Sequence, residues 1–403
     1  MHDLRQSVET EIKSGILPFW LKYTIDEQYG GFRGHVAIDL TIDAHADKGI
    51  ILNARILWTF SRAFSVYADP VYLDAARRAY EYLVRFFWDN EFGGVYWMVD
   101  YLGCPVDPRK RIYAQAFTVY ALVEYYHAIG DAEILARTLR LVDVIEASAH
   151  DAEHGGYFET YERDWTLAAD QRLSDVDQDD KKSMNTHLHV LEAYANLLRN
   201  HEDPLVRLRL QELLEVFLDR IIDPKTHHFR LFFDELWRPR SEKISFGHDI
   251  EGSWLLCEAA DVLGDAALQA RARANALAMA QAVYEEGLDT DSGLMYEADP
   301  AGIIDTDKHW WPQAEAVVGF LNAYEISGRS HFLDAAERSW AFIEQHIIDH
   351  VHGEWFWLVS REGVPDARQD KVGPWKCPYH NSRTCFEVME RLARLATKTA
   401  TTG

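Results

Sequence analysis

The sequence contains few cysteines, no long apolar run and no signal-peptide pattern. Its 403 residues include four cysteines, none of them in a C-x-x-C pair, which disfavours a disulfide scaffold. No stretch approaches the ~20 apolar residues that a membrane helix needs. Residues 1–10 carry Asp3, Arg5 and Glu9 and lack an apolar signal-peptide core. These absences predict a soluble protein of the reducing cytoplasm.

Positive charge is scarce relative to negative charge. Lysine and arginine total 41, whereas aspartate and glutamate total 65, which gives a formal net charge of −24. Such a field repels nucleic-acid phosphates and anionic lipid head groups, so we expect neither nucleic acid nor a membrane as a partner. Phosphate-binding G-x-G-x-x-G and P-loop motifs and the G-x-S-x-G nucleophile elbow are also missing, which disfavours nucleotide and acyl-transfer chemistry.

A short motif of glycine followed by aromatic residues recurs six times. Successive copies are separated by 63, 62, 72, 65 and 60 residues, measured between Gly31, Gly94, Gly156, His228, Gly293 and Gly353. The fourth copy, at residues 228–232, has lost its glycines. The residues that follow each motif alternate in polarity and predict a short strand or turn. Six units of similar length therefore account for the whole chain.

Each unit contains two stretches with helical periodicity but different character. The stretches that precede a motif are amphipathic and span about 4–26, 70–89, 131–150, 204–222, 265–286 and 330–349. Those that follow a motif are apolar around more of their circumference and span about 49–67, 111–129, 183–200, 245–263, 309–327 and 379–398. A helix that is apolar nearly all round belongs in the interior, so the two sets are predicted to be outer and inner helices.

Six outer and six inner helices that alternate along the chain predict an all-α fold, the (α/α)6 barrel, with short β-turn or strand insertions. An open solenoid of helical hairpins is the alternative. The count of six, without distinct capping units, favours a closed ring over an array. We therefore expect residues 1–403 to form a single (α/α)6-barrel catalytic domain.

The first turns of the inner helices carry unusual polar and aromatic residues. Parallel inner helices begin at one mouth of the ring, so residues far apart in sequence are expected to meet there. In chain order, these helix starts supply Arg55, Tyr113, Asn185, His189, His248, Glu251, Trp311, Glu315 and His380, with Trp375 just before the last helix. Histidine titrates near neutral pH, and the flat indole ring stacks on sugars. The mouth is therefore the predicted functional site.

Helical spacing predicts which of these side chains are neighbours. Asn185 and His189 are four residues apart and share a face, whereas His187 lies about 200° from His189 and is expected to pack elsewhere. His248 and Glu251 are three apart, which predicts that the carboxylate orients the imidazole. Trp311 and Glu315 are four residues apart, which is expected to place the flat indole ring beside a carboxylate.

Metal binding is the competing use of several histidines. His187-x-His189 and the adjacent His227 and His228 resemble fragments of metal sites. No cysteine and no H-E-x-x-H motif accompanies them. We therefore predict that the site holds neither a metal ion nor a cofactor.

The helix starts closely resemble those of the N-acylglucosamine 2-epimerase family, and within it the cellobiose 2-epimerases. The matching segments run through the chain in family order: 49–58, 93–98, 183–194, 245–251, 309–316 and 375–381. The resemblance implies an (α/α)6 barrel. It also implies epimerisation at C2 of the reducing-end glucose of a β-1,4-linked disaccharide, such as cellobiose or lactose, without a cofactor. We expect a monomer or a homodimer.

The resemblance further implies residue roles. His248 and His380 would be the acid/base pair at C2, and His189 would assist opening of the sugar ring. Glu251 would support the catalytic histidines. The other matching positions would bind the sugar or support the histidines: Arg55, Tyr113, Asn185, Trp311, Glu315 and Trp375.

Three positions depart from the family pattern, in which histidine, alanine and glycine are usual: Arg111, Gly252 and Ser382. None of them removes a proposed catalytic group, but they leave the subsite for the second sugar open. A mannose or N-acylglucosamine 2-epimerase, or an aldose–ketose isomerase acting on a monosaccharide, therefore stays an alternative. An (α/α)6 glycoside hydrolase that uses Glu251 and Glu315 as its two carboxylates is the alternative of another class.

Overall fold

The computed structural model describes residues 1–174 and 177–402, so positions 175, 176 and 403 of the predicted domain lie outside the described residues. The first outer helix is made of α1 (His2–Glu11), a π-helical turn (Ile12–Ile16) and α2 (Leu17–Tyr23). The first inner helix, α3 (Ile50–Tyr67), follows. Outer and inner helices then alternate: α4 (Pro70–Tyr82), α5 (Ile112–Ile129), α6 (Ala132–Ser148), α7 (Met184–Asn200), α8 (Pro204–Val216), α9 (Phe246–Leu263), α10 (Ala266–Ala282), α11 (Trp310–Ser327), α12 (Ser330–Phe342) and α13 (Tyr379–Thr402).

The predicted (α/α)6 arrangement is confirmed. Each inner helix packs against the next, in the order α3, α5, α7, α9, α11 and α13, and α13 packs back against α3. This last contact closes the ring, so the open solenoid is wrong. The outer helices pack around the ring, and the inner helices are buried on nearly all sides, as the apolar circumference predicts.

Local signals in the sequence explain where the helices begin and end. The outer helices α4, α6, α8 and α10 each begin after an aspartate whose carboxylate accepts backbone N–H groups of the first turn. Three inner helices end at a glycine in the left-handed conformation: Gly130, Gly264 and Gly328. After Gly130 and Gly264 the next residue is the capping aspartate of the following outer helix, so the turn between the two helices is tight.

A two-residue strand lies directly before each of five inner helices and holds the start of the helix in place. Within the described residues these strands are β1 (Lys48–Gly49), β4 (Lys110–Arg111), β6 (Lys182–Ser183), β8 (Ile244–Ser245) and β11 (Lys308–His309). Each pairs antiparallel with a strand after the next aromatic motif: β2 (Met98–Val99), β5 (Thr160–Tyr161), β7 (Phe232–Phe233), β9 (Glu297–Asp299) and β12 (Leu358–Val359). Two further strands, β3 (Pro105–Asp107) and β10 (Gly302–Asp305), extend the sheets of β2 and β9. Each inner helix start is thus held by the following unit.

Lysine–aspartate pairs in which the lysine is buried repeat around the ring and were not predicted from the sequence. The lysine lies before an inner helix, and the aspartate opens the glycine-containing turn. Five pairs have N–O distances of 2.7, 2.9, 2.7, 2.5 and 2.8 Å: Lys48–Asp26, Lys110–Asp89, Lys182–Asp151, Lys308–Asp291 and Lys371–Asp349. A charge pair of this kind tolerates burial because each partner neutralises the other. These pairs fix the loops that carry the mouth of the ring.

The fourth residue of an inner helix holds the preceding aromatic motif. In α5 and α11 this residue is glutamine, and Gln115 and Gln313 accept from the backbone N–H groups of Val95 and Leu294 at 2.8 and 2.7 Å. In α7 it is His187, whose Nε2 accepts from the N–H of Tyr157 at 2.8 Å. The prediction that His187 packs away from the functional site is therefore confirmed.

Candidate active site

A cavity of about 410 Å³ opens at the predicted mouth of the ring. Nine of the ten predicted site residues line it: Arg55, Tyr113, Asn185, His189, His248, Glu251, Trp311, Trp375 and His380. Tyr113, Asn185, Trp311 and His380 are the second residues of their helices. Because the inner helices begin at the same level, side chains from six helices converge on one space.

Glu315 is the exception, and of the two roles expected for it the geometry favours support of a histidine. Its side chain is fully buried behind His380 and does not line the cavity. One carboxylate oxygen lies 2.7 Å from His380 Nδ1, and the other accepts from Trp254 Nε1 at 3.0 Å. A carboxylate accepts hydrogen bonds, so this contact places a hydrogen on Nδ1 and leaves Nε2 free to accept a proton.

His189 has an equivalent arrangement on a different helix. Its Nδ1 lies 2.8 Å from Glu192 Oε2. Burial lowers the pKa of His189, although Glu192 opposes the shift. Burial disfavours the ionised Glu192, but Arg383 and His189 together lower the pKa of Glu192 to about 2. The pair is therefore a neutral imidazole held by an ionised carboxylate.

His248 is held differently, and the predicted pairing with Glu251 is wrong. The His248 Nδ1 lies 2.8 Å from Ser245 Oγ, one turn back on the chain. Glu251 instead accepts from Arg383 Nη2 at 2.5 Å, because that buried guanidinium competes successfully for the carboxylate. Burial lowers the pKa of His248, as it does that of His380. His189, His248 and His380 are therefore neutral near pH 7, as is His309, the fourth histidine of the cavity, because burial lowers its pKa to about 4.

Arg55 is a buried cation with no carboxylate partner among the described residues. Its Nη2 donates to the Tyr113 hydroxyl at 2.9 Å, and its guanidinium carbon lies 4.1 Å from the centre of the Phe117 ring. The Arg55 Nε has no hydrogen-bond partner within the described structure. A desolvated guanidinium with spare donors is suited to an anion that develops inside the cavity.

Polar and aromatic groups on the cavity wall are available to a ligand. The buried Oδ1 of Asn185 has no partner within the described part of the chain. The ring of Trp311 lies 4.7 Å from that of His248 and 5.6 Å from that of His380, measured between centroids. Trp375 packs against Tyr113 at 5.7 Å. Indole rings beside an unpaired amide oxygen are typical of a site that binds a sugar.

Glu251, Glu315 and His380 are the single group in the described residues whose ligand atoms lie close enough together to hold a metal ion. The position between the two carboxylates is already filled by a cation. Arg383 Nη2 donates to Glu251 Oε1 at 2.5 Å and to Glu315 Oε1 at 2.6 Å. The donor set is thus satisfied by a guanidinium and does not fit an added cation.

Tyr296, which lines the cavity, was missed by the sequence analysis, as were two residues that support the cavity histidines, Glu192 and Arg383. Glu192 lies three residues after His189, a spacing that predicts a contact on one face of a helix. Arg383 lies four residues after Tyr379 and contacts acids on three other helices. No local pattern reveals such a contact.

Comparisons with known proteins agree with the fold. Residues 30–383 match the family model described as N-acylglucosamine 2-epimerase. A Bacteroides fragilis cellobiose 2-epimerase is 44% identical, covering 96% of this chain and 98% of the relative. A Ruminococcus albus cellobiose 2-epimerase is 41% identical, covering 95% and 98%. The structure of cellobiose 2-epimerase from Bacillus thermoamylovorans B4167 superimposes with a TM-score of 0.92 at 39% identity, covering 97% and 100%. The chain therefore belongs to the N-acylglucosamine 2-epimerase family.

Proposed function

We propose that the protein is a cellobiose 2-epimerase. It interconverts the glucose and mannose configurations at C2 of the reducing-end sugar of β-1,4-linked disaccharides such as cellobiose and lactose. Relatives that carry this name are 37–44% identical over nearly the whole chain. The observation that carries the chemistry is a cavity that combines neutral histidines with Arg55, which is buried and has no carboxylate partner among the described residues.

The reaction requires proton transfer at a carbon atom. The C2–H bond of a sugar becomes acidic when the ring opens and C1 is an aldehyde, because the carbanion is then delocalised as an enediolate. Inversion removes the proton from one face and returns a proton to the other. Imidazole can both accept and donate a proton near neutral pH, so two histidines can serve both faces.

The geometry supports distinct roles for the proposed groups. His248 and His380 both contact the ring of Trp311, so we assign them as the acid/base pair on a sugar that stacks there. His189, held by Glu192, is assigned to ring opening. Arg55 is assigned to the enediolate oxygen, where charge develops. Delivery of the proton to C1 gives a ketose, so a ketose-forming side reaction is expected.

The glycoside-hydrolase alternative does not fit the carboxylates. A hydrolase needs two carboxyl groups that flank the scissile bond from the cavity. Glu315 does not line the cavity, and both Glu251 and Glu315 bind the same Arg383 nitrogen. Glu315 therefore cannot reach a glycosidic oxygen in the cavity, which leaves Glu251 without the second carboxyl group that hydrolysis requires.

A substrate panel tests the proposed function. Purified, chelator-treated protein is incubated with cellobiose, lactose, mannose and N-acetylmannosamine, and products are identified by NMR. We expect 4-O-β-glucosylmannose from cellobiose. Activity confined to a monosaccharide would move the chain to another branch of the family, and release of glucose from cellobiose would refute epimerisation as the reaction.

The remaining expectations are part of the same proposal. All six inner helices contribute to one site, which supports a single catalytic domain. The four cysteines are free, which suits a reducing cytoplasm. None of the helices among the described residues is long and apolar enough to span a bilayer. We further propose that the substrate is a disaccharide, that the reaction needs no cofactor, and that the protein is a monomer or a homodimer.

The pH dependence follows from the buried histidines. Burial lowers the pKa of His248 and of His380 below the ordinary value of ~6.5. Both therefore remain neutral, and able to accept a proton, at pH 6. We expect deuterium exchange into C2 to stay flat from pH 8 to pH 6 and to fall only at lower pH. A fall centred near pH 6.5 in an NMR time course would contradict the assignment.

Arg111 is expected to affect substrate affinity more than turnover. Its Nη1 donates to the carbonyl oxygens of Arg172, at 3.0 Å, and Leu173, and Leu173 lines the cavity. The guanidinium also covers Trp97, which packs against Trp375. Arg111→Met removes charged hydrogen bonds worth about 1.5–3 kcal/mol. We expect KM for cellobiose to rise about tenfold with kcat within about threefold; an unchanged KM would refute this role.

A further inference from the structure

We propose that Arg383 is a positioning residue that links two of the cavity histidines through their carboxylates and keeps both in the tautomer that catalysis needs. The inference rests on the proposed function and extends it. Arg383 does not line the cavity. It is 1% exposed, and it acts on the reaction through the groups that it holds.

One guanidinium contacts three acids. Arg383 Nη2 donates to Glu251 Oε1 at 2.5 Å and to Glu315 Oε1 at 2.6 Å. Its Nη1 donates to Glu192 Oε1 and to the Tyr379 hydroxyl in short hydrogen bonds. These partners come from α7, α9, α11 and α13. Arg383 is therefore the cation on which four of the six inner helices converge.

Two of these acids hold histidines. Glu315 accepts from His380 Nδ1 at 2.7 Å, and Glu192 lies 2.8 Å from His189 Nδ1. An ionised carboxylate can only accept a hydrogen bond, so each contact keeps the imidazole hydrogen on Nδ1. The catalytic Nε2 atoms are then free bases. This arrangement depends on the acids remaining ionised.

Without Arg383 the acids would be buried without a counter-charge. Burial and the neighbouring Glu315 already raise the pKa of Glu251 to about 8. The other titratable groups around the guanidinium are Glu192, His189, Tyr120 and Tyr379. Loss of the Arg383 charge raises the pKa values of Glu315 and His380 together. A protonated Glu315 donates to Nδ1, which moves the imidazole hydrogen to Nε2 and blocks the base.

The chain offers a matched control for the loss of a buried arginine. Arg391 lies two turns further along α13, is 3% exposed, and pairs with Glu325 at 2.6 Å and with Glu387 at 3.2 Å. It does not line the cavity or contact a cavity histidine within the described residues. Arg391→Met removes a similar buried ion pair but leaves the proposed histidine support intact.

The experiment compares Arg383→Met, Arg383→Lys and Arg391→Met with the wild type. Thermal unfolding is measured for each protein, and kcat on cellobiose is measured from pH 6 to pH 10. For Arg383→Met we expect kcat at pH 7 to fall at least 100-fold. The pH below which kcat declines should shift to a higher value. The loss of kcat relative to the wild type should therefore be at least tenfold smaller at pH 9 than at pH 7. Arg383→Lys should lie between this variant and the wild type. Arg391→Met should keep the wild-type pH profile.

A second readout does not require activity. Imidazole ¹⁵N shifts, recorded on protein labelled at histidine, distinguish the Nδ1–H from the Nε2–H tautomer. We expect Nδ1–H for His189 and His380 in the wild type, with His380 changed in Arg383→Met. If the pH profile of Arg383→Met is parallel to that of the wild type and its histidine tautomers are unchanged, the inference is overturned. If Arg383→Met does not fold, a wild-type profile in Arg383→Lys overturns it equally. A wild type that is inactive on every sugar refutes the proposed function instead, because the tautomers are still readable.

Discussion

Replacing His380 with asparagine is expected to lower the rate of C2 epimerisation of cellobiose by about 10³-fold, within the range of general acid–base catalysis. His380 lines the cavity, and Glu315 holds its Nδ1, so its Nε2 is the free base. Asparagine is of similar size but cannot accept and return a proton. The measurement is kcat on cellobiose, with folding checked by circular dichroism.

His187→Gln is the matched control for this change. His187 is also a buried histidine in the first turn of an inner helix, but it binds the backbone of Tyr157. Glutamine performs the same task at the equivalent positions Gln115 and Gln313. We expect His187→Gln to retain activity within about threefold of the wild type. Equal losses in His380→Asn and His187→Gln would show that the effect is structural and would refute the assignment of His380.

Arg55→Met is expected to lower kcat by about 10²–10³-fold, the usual effect of removing a donor that stabilises a developing oxyanion. The same substitution should leave the protein at least as stable as the wild type. Arg55 has no carboxylate partner among the described residues and packs on Phe117 and Tyr379. Replacing an unpaired buried charge with an apolar side chain relieves a desolvation cost. Activity and stability should therefore change in opposite directions.

The two readouts for Arg55 are kcat on cellobiose and the unfolding midpoint. Arg55→Lys retains the charge but loses the planar set of donors, so we expect an intermediate kcat. A lower midpoint together with near-normal kcat in Arg55→Met would mean that Arg55 supports the fold and not the enediolate.

The architecture could be predicted because its signals are local and repeated. Apolar periodicity and the repeated glycine–aromatic motif define each unit within a few turns of chain. The structure begins α5 at Ile112 and α9 at Phe246, one residue from the predicted starts. Closure of the ring followed from the number of units, and convergence of the helix starts then placed nine site residues on one cavity.

Contacts between units could not be predicted in this way. Lys48 reaches Asp26 across 22 residues, and Arg383 reaches Glu192 across 191. Helical spacing reports only which residues of one helix share a face. It therefore suggested that Glu251 orients His248, whereas the carboxylate is drawn to Arg383 from another helix. The partners of a buried charge depend on the whole ring.

The most direct test of the account is the fate of the C2 hydrogen. Wild-type protein is incubated with cellobiose in D₂O, and both epimers are followed by NMR. Proton transfer through an enediolate predicts that 4-O-β-glucosylmannose carries deuterium at C2 from the earliest time points. Epimerisation with the original hydrogen fully retained at C2, or cleavage of cellobiose without epimerisation, would contradict the account.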